Sequence, residues 1–112
     1  MNDKELLKLA AKAAGIGLKF SADESVSPRL EKTWTSWNPL TDDGDALRLA
    51  VKLDMQVEYL EFSGYARARS RMHHNEEWCQ EYCMSDMGIK DPYAATRRAI
   101  VRVAAEIGKS MP

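Results

Sequence analysis

The sequence predicts an α+β fold in which a small antiparallel sheet packs between helices, an arrangement of the α/β/α sandwich type. Two observations indicate it: apolar residues recur at helical spacing in three segments, and the stretch before the last of these has the alternation of a β-hairpin. With 112 residues, the chain has the usual size of one domain and can bury a core without a metal or disulfide. We expect a single domain, residues 1–112, with the element order α-β-β-α-β-β-(β)-α.

The charge balance, the cysteine count and the length of the apolar runs argue against a nucleic-acid-coating, a secreted and a membrane-spanning protein. Sixteen Lys and Arg residues oppose 17 Asp and Glu residues, which gives a formal net charge of −1. This balance is unlike that of a protein that coats nucleic acid or anionic lipid. Two cysteines and no recognisable leader fit a reducing cytosol, and no apolar run is long enough to span a bilayer. We expect a cytoplasmic protein without a membrane partner.

The first two helices are predicted by their caps and apolar spacing. Asn2 and Glu5 form a capping-box pair, and apolar residues then recur at helical spacing as far as Gly15. The second helix begins at residues 41–43, which supply cap candidates and negative charge, and extends to about Leu53. Its predicted apolar stripe consists of Leu40, Leu47, Ala50 and Val51.

The last helix has the clearest signals. Asp91 is a cap residue, and Pro92 occupies the first helical position, where its missing N–H costs nothing. Gly108 is expected to end the helix. The stripe that we expect to face the core consists of Tyr93, Thr96, Ile100, Val103, Ala104 and Ile107.

The remaining segments contain strand and loop signals. Residues 17–20 predict a short strand, residues 21–32 a loop, and residues 33–37 a short edge strand or an ordered loop. Residues 55–62 carry apolar side chains in both alternating sets, as in a strand covered on both sides for part of its length. Residues 78–83 fit a third pairing strand or a helical turn, and we favour the strand.

A hairpin is predicted around Ser63 and Gly64, which have the composition of a two-residue turn. Pairing Phe62 with Tyr65 sets the register. It places Leu60 opposite Arg67, Glu58 opposite Arg69 and Gln56 opposite Arg71 on one face, with Val57, Tyr59, Ala66 and Ala68 on the other. Opposite charges across the strands support the hairpin, although the Ala and Arg residues of the second strand also favour a helix.

Two blocks of sequence carry a resemblance to a known family. They are WNPLTDDGDALRLAV at residues 37–51 and DPYAATRRAIVR at residues 91–102, which runs on to AAEIG at residues 104–108. Together they resemble a family of small phage and prophage proteins, the phage ABA sandwich domain. The resemblance implies a phage-derived domain in a bacterial host, with a sheet between helices, and it carries over no biochemical activity. Residues 72–88 depart from the family's pattern.

This departing segment contains four side chains of the types that bind zinc: His73, His74, Cys79 and Cys83. Their spacing is poor for a zinc site, because adjacent side chains on a strand point to opposite faces and no second knuckle accompanies them. The sequence also contains no phosphate-binding loop, nucleophile elbow or metalloprotease motif. We therefore expect no metal, no other cofactor and no catalytic activity.

Arg67, Arg69 and Arg71 predict a row of arginines on one face of the hairpin, with Tyr65 and Trp78 nearby. Three arginines of the last helix are candidates to extend this row: Arg97, Arg98 and Arg102. Such a face suits single-stranded nucleic acid, which stacks on aromatic rings. Glutamates in the same region would neutralise much of its field, which favours a solvated sheet face with ion pairs.

The tryptophans divide into a core residue and two interface candidates. Trp37, beside Asn38 and Pro39, is expected to anchor its loop in the core, whereas Trp34 and Trp78 have no periodic apolar partners. Aromatic residues and arginines are enriched at interface hot spots. The predicted interaction residues are Trp34, Tyr65, Arg67, Arg69, Arg71 and Trp78.

The sequence therefore predicts a phage or prophage accessory protein that binds a phage or host protein without catalysis. Binding of nucleic acid by the arginine-lined face is the alternative. A homo-oligomer also fits the sequence, because oligomerisation is one way to cap an exposed sheet edge.

Overall fold

The computed structural model describes residues 2–23, 26–72, 76–83 and 90–112. The elements are α1 (Asp3–Ala14), β1 (Leu18–Lys19), β2 (Arg29–Leu30), α2 (Asp43–Lys52), β3 (Met55–Leu60), β4 (Tyr65–Ser70), β5 (Cys79–Tyr82) and α3 (Pro92–Ser110). β1 pairs with β2, and β3, β4 and β5 form a three-stranded antiparallel sheet in that order. The α+β class and the predicted element order are confirmed, including the strand at residues 79–82.

Each helix begins at its predicted cap. The side chains of Asn2, Asp42 and Asp91 each accept a hydrogen bond from the backbone amide three residues later. Each bond satisfies one of the amides that a helix N-terminus leaves unpaired. At the other end of α1, Gly15 has a φ of 69°, a left-handed conformation that glycine adopts without a steric penalty.

The predicted end of α3 at Gly108 is wrong, because the helix continues to Ser110. Gly108 is buried where α3 meets α1. A Cβ added at Gly108 would lie 2.0 Å from the carbonyl oxygen of Leu9. The glycine therefore allows the two helix backbones to approach each other, and it has no role in ending the helix.

The core lies between the three helices and one face of the β3–β5 sheet. α3 packs on the sheet, and α1 packs mainly on α3. The β4 side chains that meet α3, Ala66, Ala68 and Ser70, are almost completely buried, and Trp37 is buried as expected. No helix of the described residues covers the other face of this sheet.

Part of the predicted apolar stripes is wrong. α2 buries Ala46 and Ala50, whereas Leu47 and Val51 are 64% and 74% exposed. In α3, Tyr93 is 69% exposed. Helical spacing identifies rows of apolar residues, but α2 carries two adjacent rows, and the row that faces the core is the one with Ala46, Leu49 and Ala50.

The hairpin forms in a register two residues away from the predicted one. The observed pairs include Leu60 with Tyr65, Glu58 with Arg67, and Gln56 with Arg69. Residues 61–64 form a four-residue connection in which Gly64 has a φ of 71° and donates its amide to the Leu60 carbonyl. The predicted two-residue turn is therefore wrong, and Phe62 stays unpaired and exposed. A shift of two residues keeps every side chain on its face, so the predicted division into an Arg-bearing and an Ala-bearing face is confirmed.

The connection between α1 and α2 differs in detail from the prediction. Residues 21–32 were expected to form a loop but contain the short strand β2. Residues 33–37 form no strand, and only Ser36 makes an isolated bridge, to Arg29. Trp34 has a φ of 59°, a left-handed backbone that interrupts an extended segment. Among the described residues, no helix has the length and apolar character needed to cross a membrane.

Candidate interaction surface

The candidate surface is the face of the β3–β5 sheet that points away from α3, hereafter the outer face. Ala66 and Ala68 point towards α3, so alternation along β4 directs the residues between and beside them outwards. With the paired residues of β3 and β5, the outer face consists of Gln56, Glu58, Leu60, Tyr65, Arg67, Arg69, Gln80 and Tyr82. Trp78, which immediately precedes β5, completes it.

Trp78 lies against two arginines of this face. The guanidinium carbons of Arg67 and Arg69 are 4.1 and 4.4 Å from the centroid of its ring system, well within cation–π range. The register accounts for the contact: Ala68 pairs with Cys79, so the next residue of β4 lies opposite Trp78. We call Arg67, Arg69 and Trp78 the Arg–Trp cluster.

Hydrogen bonds fix both guanidinium groups. Arg67 Nε and Nη2 lie 3.0 and 2.9 Å from Glu58 Oε2. Arg69 Nε and Nη2 donate to Gln56 Oε1 at 3.0 and 2.9 Å. A carboxylate therefore offsets the positive charge of Arg67. Arg69 is bonded to a neutral amide, which leaves its positive charge without a compensating negative charge among the described residues. Because these side chains are already ordered, a partner that binds them loses little additional conformational entropy.

Two tyrosines extend the surface along the sheet. The ring centroids of Tyr65 and Tyr82 are 5.9 Å apart, with an interplanar angle of 68°, which is an edge-to-face contact. Tyr82 is 70% exposed. Sequence reasoning did not select Tyr82, because its position beside Tyr65 depends on the pairing of β4 with β5, for which the chain carries no local signal.

Two predicted interaction residues lie apart from the Arg–Trp cluster. Arg71 follows the last residue of β4, is exposed, and lines a shallow depression at the margin of the outer face with Arg69 and Glu76. Trp34 is 60% exposed in the connection after β2. None of its described contacts involves the sheet of β3, β4 and β5. The structure therefore brings Tyr65, Arg67, Arg69 and Trp78 together but not Trp34.

The arginines of α3 do not extend the outer face. Arg97 donates to Asp43 at the start of α2, at 2.6 Å. Arg98 and Arg102 both contact the Glu81 carboxylate, at 3.5 and 2.9 Å. Glu81 pairs with a residue of β4 that points towards α3, so these ion pairs join α3 to the sheet from its inner side.

The structure separates the two candidate zinc ligands that lie among the described residues. Cys79 and Cys83 lie four residues apart along one extended segment, and a rise of about 3.3 Å per residue separates them by about 13 Å. This separation is too large for a shared metal ion or a disulfide. Burial raises the pKa of the Cys79 thiol, which lowers its reactivity. His73 and His74 lie outside the described residues.

No family model, curated protein or solved structure matches the chain. The resemblance of residues 37–51 and 91–108 to the phage ABA sandwich domain stays a prediction.

Proposed function

We propose that the protein is a non-catalytic interaction protein, of phage or prophage origin, that binds another protein through its outer face. One observation carries the proposal: an ordered Arg–Trp cluster lies on a sheet face that no helix of the described residues covers. Trp, Tyr and Arg are the residue types that contribute most to binding at protein interfaces. The outer face combines all three within one sheet.

The polar groups of the Arg–Trp cluster indicate the chemistry of the partner. Arg69 uses Nε and Nη2 to bind Gln56, and among the described residues no acidic group bonds to it. A carboxylate of the partner can therefore form a charge-assisted hydrogen bond with Arg69 Nη1. Tyr82 adds exposed aromatic area beside Tyr65, at the other end of the outer face. We infer that the partner presents an acidic side chain to Arg69 and apolar side chains to the two tyrosines.

Nucleic-acid binding is the second candidate, and the charge of Arg69 and the exposed Arg71 favour it. Two observations oppose it. Two guanidinium groups already contact the Trp78 ring, so less of that ring is available to stack on a base. Glu58 also neutralises Arg67, which reduces the attraction of the face for phosphates.

A tagged pull-down from a bacterial lysate, run with and without nuclease, tests the proposal. The wild type is compared with Trp78→Ala and with Trp34→Ala, which makes the same change at an exposed tryptophan outside the outer face. We expect the wild type and Trp34→Ala to retain one stoichiometric protein after nuclease treatment. We expect Trp78→Ala to lose that protein. Retention by Trp78→Ala would contradict the assignment of the outer face.

A binding titration distinguishes the two candidates directly. A fluorescently labelled single-stranded oligonucleotide is titrated with the protein at about 50 mM and about 200 mM salt. Protein binding as proposed predicts no complex with the oligonucleotide at either concentration. Binding that is tight at low salt and falls steeply at high salt, because counterions are displaced, would support the second candidate.

A further inference from the structure

The free edge of β3 presents open backbone groups. Among the described residues β3 pairs only with β4. The Cys83 amide donates to the Gly64 carbonyl at 3.0 Å, so these two residues form a hydrogen-bonded pair of the β4–β5 ladder. In an antiparallel sheet, the side to which a residue's amide and carbonyl point alternates along the strand. Carried from Gly64 along β4 and across its pairing with β3, this alternation directs the amides and carbonyls of Met55, Val57 and Tyr59 away from β4. These three residues can accept another strand.

An apolar groove lies beside this edge. It has a volume of about 540 Å³ and is formed by α2, the first turns of α3, and Val57 and Tyr59 of β3. Leu47 and Tyr93 line it, and both are more than 60% exposed. Val51, one turn after Leu47, is also exposed. An open edge strand beside exposed apolar side chains favours aggregation, and stable proteins usually cover such a region.

We propose that a second copy of the chain covers this region. The β3 strands of the two copies pair antiparallel about a two-fold axis at Val57 and form one continuous six-stranded sheet. Leu47 and Val51 of each α2 helix become part of the same interface. The proposal is independent of the proposed function, because the outer face points away from α2 and α3 and stays open in both copies.

The sequence of β3 is complementary to itself in this register. The register places Val57 opposite Val57 of the second copy, Met55 opposite Tyr59, and Gln56 opposite Glu58. Apolar residues thus meet on the inner face, and a neutral amide meets a carboxylate on the outer face. Moving the axis to Glu58 would place two glutamates directly opposite each other, and moving it to Gln56 would place Asp54 opposite Glu58. Like charges in opposite positions destabilise a sheet, so these charges favour the axis at Val57 over both neighbouring axes.

The oligomeric state of the full chain tests the proposal. Size-exclusion chromatography with light scattering, over protein concentrations from about 1 µM to about 500 µM, should show a dimer that dissociates on dilution. Leu47→Glu places a charge in the proposed interface. Because the Leu47 side chain is largely exposed in a single copy of the chain, the substitution should not disturb the fold of that copy. We expect it to raise the dissociation constant of the dimer by about a hundredfold or more. Its far-UV circular dichroism should remain that of the wild type.

Phe62→Glu is the matched control, because Phe62 is fully exposed at the hairpin connection and outside the paired segment. This variant should dimerise like the wild type. Hydrogen exchange gives an independent measurement: the amides of Val57 and Tyr59 should exchange at least about tenfold more slowly in the wild-type dimer than in Leu47→Glu. A wild type that is monomeric at all concentrations would overturn the proposal. A dimer that Leu47→Glu leaves intact, or one in which these two amides exchange freely, would also overturn it.

Discussion

Replacing Gly108 with alanine distinguishes two opposite expectations for the stability of the protein. In an exposed helix, alanine in place of glycine stabilises by about 1 kcal/mol, so helix propensity predicts a gain. The structure predicts a loss, because the added Cβ would lie 2.0 Å from the carbonyl oxygen of Leu9 and 2.8 Å from its carbonyl carbon. Close carbon–oxygen contacts between helices are about 3.3 Å or longer. α1 and α3 would therefore have to separate by about 1 Å.

The size of the loss follows from that separation. Excess volume in a well-packed core costs about 1–3 kcal/mol, and a gap approaching 1 Å also removes a quarter to a half of the dispersion energy of the contacts across it. Ala10 and Ala104 belong to the core that holds these helices, and both are fully buried. With a total cost of about 3 kcal/mol and the gain of about 1 kcal/mol from propensity, we expect a net destabilisation of about 2 kcal/mol.

Urea unfolding monitored by far-UV circular dichroism measures this free energy. With a denaturant dependence of about 2 kcal/mol per molar urea, Gly108→Ala should lower the midpoint by about 1 M. Lys109→Ala is the control, since it changes the next residue of the same helix at an exposed position and should alter stability by less than about 0.5 kcal/mol. A Gly108→Ala midpoint equal to or above that of the wild type would refute the close approach of α1 and α3.

Three further predictions concern single side chains. Asp42→Ala removes the cap of α2 and should lower the free energy of unfolding by about 1 kcal/mol, whereas Asp42→Asn, which keeps an acceptor, should stay near the wild type. Glu81→Gln breaks the ion pairs with Arg98 and Arg102; we expect a loss of about 1 kcal/mol in thermal unfolding that shrinks in high salt, and an equal loss at every salt concentration would contradict an ionic origin. Burial raises the pKa of the Cys79 thiol above its ordinary value of 9.0, so the stability that comes from its protonated form is complete below that value and is lost as the pH rises through the folded-state pKa. The urea midpoint of the wild type should therefore fall more than that of Cys79→Ala between about pH 8 and pH 10, and identical pH dependences would contradict the shift.

The helices were predictable because their signals are local. A cap depends on residues within one turn, and Asn2, Asp42 and Asp91 each cap a helix in the structure. The register of the hairpin was not predictable in the same way. Ser63 and Gly64 fit a two-residue turn as well as the end of the four-residue connection that forms, and the choice depends on contacts of the whole sheet.

The outer face shows the same difference between features that depend on a local pattern and features that depend on strand pairing. Alternation along β4 was sufficient to place Tyr65, Arg67 and Arg69 on one face, because the period of a strand is a local property. Their contact with Trp78 depends on the pairing of β4 with β5, which no local pattern determines. Trp34 lies elsewhere because the path of a connection between short strands leaves no periodic signal in the sequence.

The position of α3 in the chain has a consequence for biosynthesis. α3 is the last element of the described chain, and it packs against α1, α2 and all three strands of the larger sheet. During translation α1 therefore emerges from the ribosome long before α3 has been synthesised. The contacts between these two helices also join residues far apart in the sequence, which slows folding. The nascent chain exposes Leu6, Leu7 and its other future core residues until translation has passed residue 110. A ribosome that stalls before α3 is complete therefore leaves α1 without the helix on which it mainly packs.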